Sequence, residues 1–148
     1  MSPAYPHLLL NCLPVDAALA ATVLLAVAAY RRTLEGAVYG YVALVAVAGL
    51  AILTFVSGNF APPALADVPG ISRDQITFHQ ITGLAAMIVS VLVGLLASIP
   101  LVLTNIAAKR GVVIADLILA LVLDAVFVYT AASRRRDPAH GTAALTVS

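Results

Sequence analysis

Four long runs of apolar residues, separated by polar breaks, make up most of this chain. A helix needs about 20 mostly apolar residues to cross the hydrocarbon core of a bilayer. Residues 8–30 form the first such run, broken only by Asn11, Pro14 and Asp16. Residues 36–56 form the second and contain no charge. The third lies within the uncharged stretch 75–108, and the fourth covers residues 112–132 with Asp116 and Asp124 inside it. The pattern predicts an all-α, four-transmembrane-helix bundle, antiparallel and up-down, with both termini on the same membrane side. Residues 1–140 form a single domain in this reading, and residues 141–148 a flexible tail.

The breaks differ in kind. Residues 31–35, Arg-Arg-Thr-Leu-Glu, and residues 105–111, with Lys109 and Arg110, are short polar turns. Each joins helices that should pack as antiparallel neighbours. Residues 57–72 are longer and hold Pro62, Pro63, Pro69 and Gly70. Such punctuation belongs at the interface or in water.

The third helix has a marked start. Ser72 and Gln75 fit a capping box, and Ile71 and Ile76 fit the hydrophobic staple beside it. Running on to about Leu103, this helix would be on the order of 45 Å long, against a core of about 30 Å. Its first turns should therefore protrude, which puts His79 near the interface. Pro100 should kink its far end.

Composition supports a membrane protein. The 148 residues are 62% hydrophobic and 10% charged, too few charges for the surface of a soluble domain of this size. Mean hydropathy is +1.05. A net charge of +1 with no basic patch argues against nucleic-acid binding. The single cysteine, Cys12, excludes an intramolecular disulfide; in an apolar helix it reads as a small hydrophobe. With no Trp, an interfacial belt must come from Tyr5, Tyr30, Tyr39, Tyr41 and Tyr129. Ala26-Val27-Ala28 resembles a signal-peptide cleavage site, but no Lys or Arg precedes the first run, so uncut insertion is expected. Arg31, Arg32, Lys109 and Arg110 lie on one membrane side, against Arg73, Arg134, Arg135 and Arg136 on the other. With charge balanced in this way, the positive-inside rule selects neither orientation.

Candidate chemistry rests on two sets of residues. His7 and His79 open the first and third helices, an even number of crossings apart, and so share a membrane side. Histidine is a common metal ligand and an axial ligand of b-type haem. Below His79, Gly83, Ala86, Ser90 and Gly94 share one helical face, small enough to leave room for a flat macrocycle. Arg73 and Arg134 could pair with its propionates. The competing reading of that small-residue face is close helix–helix packing. The second set is Asp16 and Asp124, both about 13 Å deep by residue count. A carboxylate at the bilayer centre costs about 2.5–3.5 kcal/mol, so each must be neutral, hydrogen-bonded or paired. They are candidates for a proton or ion site, or else neutral acids bonded to Thr22, Ser90 or a backbone carbonyl. Asp116, nearer a helix end, is expected to reach the interface.

The opening His7-Leu8-Leu9-Leu10-Asn11-Cys12-Leu13-Pro14-Val15 resembles that of an uncharacterised bacterial family of four-helix membrane proteins, whose members read H-L-L-L-N-H-x-P-V. Val68-Pro69-Gly70-Ile71-Ser72 with His79, and the basic segment running to His140, are similar to further segments of that family. The resemblance implies the same fold and carries no established activity. Here Cys12 replaces the second motif histidine, which leaves His7 and His79 as the ligand pair to consider.

Three functional expectations follow. The first is a small redox or cofactor-binding subunit of the bacterial inner membrane, holding haem b between His7 and His79. The second is a non-enzymatic accessory subunit or homo-oligomer in the bilayer, using Gly36, Gly40 and the third-helix face as contact surfaces. The third is a proton- or ion-coupled carrier built on Asp16 and Asp124. None makes the chain an enzyme on its own, and no hydrolase, phosphate-loop or zinc motif is present.

Overall fold

The computed structural model describes residues 4–59 and 73–133, with side chains except those of residues 4–11, 59, 73–76, 79, 132 and 133. Four helices account for almost all of it: α1 (Ala4–Arg31), α2 (Leu34–Asn59), α3 (Arg73–Val102) and α4 (Arg110–Ser133). Each is long and apolar enough to cross a membrane. The protein is an all-α four-helix bundle of the integral membrane type.

The buried positions explain how the helices meet. On α1 they are Pro14, Ala18, Ala21, Leu25 and Ala28. On α3 they include Ala86, Ser90, Val93, Ala97 and Pro100, and on α4 Val113, Asp116, Ala120, Leu123 and Phe127. Spacings alternate between three and four residues, the repeat that lets helices pack side by side at a shallow angle with side chains interlocking. Many of the core side chains are alanines. In a bilayer, lipid tails are as apolar as leucine, so helices gain by close packing of small residues rather than by hiding large ones. The large apolar side chains point outward instead: Val23, Leu53, Ile81, Leu95 and Val128 are all exposed.

Each helix packs on its neighbours in the order α1, α2, α3, α4, with α4 closing back on α1. The α1–α2 turn is tight. Arg32 adopts a left-handed conformation (φ 57°), and the Thr33 amide donates to the Ala28 carbonyl at 3.3 Å. This is the bond pattern of a Schellman helix stop, with arginine at the place usually held by glycine. Tyr41, near the start of α2, donates its hydroxyl to the carbonyl of Ala107 in the α3–α4 turn, at 2.9 Å. The start of α2 therefore lies beside the end of α3. With two tight turns at that end, the bundle runs up-down, and the start of α1 and the end of α4 share the opposite end.

Some expectations change. Tyr41 is not part of an interfacial belt; it is fully buried and fastens the second turn. Tyr30, Tyr39 and Tyr129 are exposed, as a belt requires. α3 continues through Pro100 to Val102. The Ser72–Gln75 capping box lies outside the described residues and side chains.

Candidate functional site

Polar groups inside a bilayer-spanning bundle are costly, so their placement is the first guide to a site. Most hydroxyls are answered within their own helix. Ser90 is fully buried and donates to the Ala86 carbonyl at 2.7 Å, and Thr54 donates to the Leu50 carbonyl at 2.8 Å. Such back-bonding satisfies a hydroxyl without a partner helix.

The carboxyls are arranged differently from one another. Thr22 on α1 donates its hydroxyl to Oδ2 of Asp124 on α4, at 2.7 Å. That contact is the hydrogen-bonded alternative expected for Asp124. Oδ1 of the same group is buried and has no partner among the described residues. Asp16 lies on the exposed side of α1, so Asp16 and Asp124 are not joined by a hydrogen bond in this fold. Cys12, one helical turn earlier, is exposed on the same face as Asp16.

Asp116, expected to reach the interface, is 4% exposed and lies within the buried face of α4. It sits in register with Val113, Ala120, Leu123 and Phe127, and that register was readable as a three–four spacing in the sequence. Counting distance from the helix end pointed outward, whereas helical phase points inward. The Asp116 carboxyl lies within electrostatic range of the Tyr41 hydroxyl, which is already committed to Ala107. It also lines a groove of about 300 Å³ between α3 and α4.

The small residues divide into two groups. At Gly94, an added Cβ would stand 2.6 Å from the Ala48 Cβ and 3.3 Å from the Leu44 carbonyl oxygen. α3 and α2 thus touch backbone to backbone there. At Gly40, an added Cβ would stand 2.6 Å from Leu25, and at Gly36 it would stand 3.2 Å from the Ala28 Cβ. The Gly36–Gly40 pair is therefore spent on packing α2 against α1, within the chain. At Gly83 an added Cβ would meet nothing within 4 Å among the described residues. The small face of α3 is closed at Gly94 and open at Gly83.

His7, His79 and Arg73 fall in the helices, but their side chains lie outside the described set, and Arg134 lies outside the described residues altogether. At Gly94, α2 leaves no room on this face for a flat macrocycle. Among the described residues, no cluster of three or more His, Cys, Asp or Glu side chains could hold a metal ion. In comparisons with known proteins, no family model, curated protein or solved structure matches this chain.

Proposed function

We propose that the protein is a non-enzymatic membrane subunit that works by assembling with a partner in the bilayer. The observation that carries this is Asp16 on the outer face of α1. It lies about 22 Å along the helix from Arg31, inside a hydrocarbon core of about 30 Å. The cost of a carboxylate turned towards lipid reaches about 2.5–3.5 kcal/mol at the bilayer centre and is smaller, though still unfavourable, at this depth. A neighbouring helix that hydrogen-bonds or charge-pairs with it removes that cost. The same outer face carries Cys12, Leu19 and Val23, a continuous strip along α1. The resemblance to a bacterial four-helix family supports a location in a bacterial inner membrane.

Cys12 serves as the reporter of the test, since it stands one turn from Asp16. Cross-linking through Cys12 in native membranes should trap a neighbouring chain, and Asp16→Leu should abolish the product. Absence of any product, together with a stable monomer in mild detergent, would overturn the proposal.

A second reading keeps the haem. The open space at Gly83, on the face that follows His79, favours it. His7 and His79 would be the axial ligands, with Arg73 and Arg134 towards the propionates, and the group would supply one-electron chemistry. Protein purified from haem-replete cells should show a Soret band that is lost in His79→Ala. A colourless preparation removes this reading. The carrier reading is weakest, because Asp16 lies on the outside of α1 while Asp124 is bonded to Thr22.

A further inference from the structure

The α3–α4 groove combines apolar walls with a carboxyl. Its walls are apolar, formed by Leu96, Ile99, Pro100, Ile106 and Leu119, and its volume is about 300 Å³. That is the lower end of the range for small-molecule sites. Among the described residues, Asp116 is the only titratable side chain in its lining. The residue as a whole is 4% exposed, and among the described residues no hydrogen bond reaches its carboxyl. Tyr41 stands within electrostatic range but spends its hydroxyl on the Ala107 carbonyl. Buried carboxyls are normally paired or bonded, so one that faces a groove lacks a partner that the groove can admit.

Pro100, inside α3, has no N–H and so donates no backbone bond to the preceding turn. Leu96 and Ile99 are also 47% and 45% exposed, so the groove opens sideways towards lipid. Lys109 and Arg110 are exposed and stand outside the lining.

We propose that this groove binds a lipophilic organic cation. Its apolar body would lie against Leu96, Ile99 and Leu119, and its positive centre would sit against Asp116. The charge is complementary, the walls match an apolar body, and the lateral opening admits a molecule dissolved in the membrane. A phospholipid headgroup fits less well, because its phosphate would come beside the same carboxyl.

Tetraphenylphosphonium and tetraphenylborate nearly match in size and apolarity and carry opposite charges, which makes them the probes. Equilibrium dialysis against protein in dodecylmaltoside, corrected with empty micelles, should give saturable phosphonium binding at one site per chain. Binding of the cation should exceed that of the anion by at least about tenfold, the least that a close charge pair would give. Asp116→Asn should remove this preference. Leu119→Phe, which fills the groove and keeps the carboxyl, should weaken cation binding, while Asp124→Asn should leave it intact. Equal binding of the two ions, or a preference that survives Asp116→Asn, would overturn the proposal. So would displacement by phosphatidylethanolamine in nanodiscs, or a change of oligomeric state in Asp116→Asn without phosphonium binding, since the groove would then hold a headgroup or a partner helix.

Discussion

Thr22 and Asp124 meet across the α1–α4 seam, and the bond between them gives the first measurable consequence. Asp124 has one oxygen answered and one, Oδ1, buried without a partner among the described residues. Thr22→Val keeps the shape and removes the donor, leaving both oxygens unanswered. Hydrogen bonds between membrane helices are worth about 0.6 kcal/mol on average and about 1.7 kcal/mol at most. Thr22→Val should therefore lower stability in detergent by an amount in that range, read by denaturant titration, and Thr22→Ser should restore it. No loss in Thr22→Val would mean that the carboxyl finds its donor elsewhere. Thr22 was one of the partners the sequence offered the mid-helix aspartates, beside Ser90 and a backbone carbonyl, and the fold selects it for Asp124. Asp116 is buried for a definite reason. Depth along a helix and direction around it are independent, and its phase with Val113, Ala120 and Leu123 decides its burial. The histidine pair, which carried the cofactor argument, falls among side chains outside the described set.

The helices themselves were easy to read, because a bilayer demands long apolar runs and punishes irregular backbone. The expected spans 8–30, 36–56 and 112–132 each lie inside an observed helix, which extends two to four residues further at its start and one to three at its end. What the sequence left open is which neighbour a small face meets. The run Gly83, Ala86, Ser90, Gly94 reads equally as a packing surface or as a cofactor wall. Its two ends behave differently, and a pair of substitutions separates them. Gly94→Ala drives a methyl into Ala48 and the Leu44 carbonyl, so α2 and α3 must part. Overpacking of that kind costs about 1–3 kcal/mol. Ala48→Gly in the same chain should recover much of the loss. Gly83→Ala meets open space and only removes backbone freedom, so it should stabilise by about 0.5–1 kcal/mol. Unfolding of the two variants side by side checks the contrast. Equal effects at both sites would mean that the α2–α3 contact at Gly94 is looser than the fold requires.

At the scale of the whole molecule, the two tight turns and the Tyr41–Ala107 bond fix which helix ends lie together, and charge must decide which end faces the cytoplasm. Arg31, Arg32, Lys109 and Arg110 flank the turn end, and Arg73, Arg134, Arg135 and Arg136 the other. Orientation follows the excess of Lys and Arg close to the helix ends, so a four-to-four balance sits at a tipping point. Small changes should then move it strongly. Replacing Arg31 and Arg32 with Ser favours a cytoplasmic location for the termini, and replacing Arg134 and Arg135 with Ser favours the opposite. A fluorescent protein that matures only in the cytoplasm, fused at the C-terminus, should brighten in the first variant and dim in the second. Accessibility of a tag at the N-terminus should change in step, because four crossings return the chain to its starting side. The paired readout tests the fold as well as the charge rule. A variant whose two termini report opposite sides would break the four-span bundle, whereas termini that agree but ignore the substitutions would show that a partner, such as the one proposed to meet Asp16, sets the orientation.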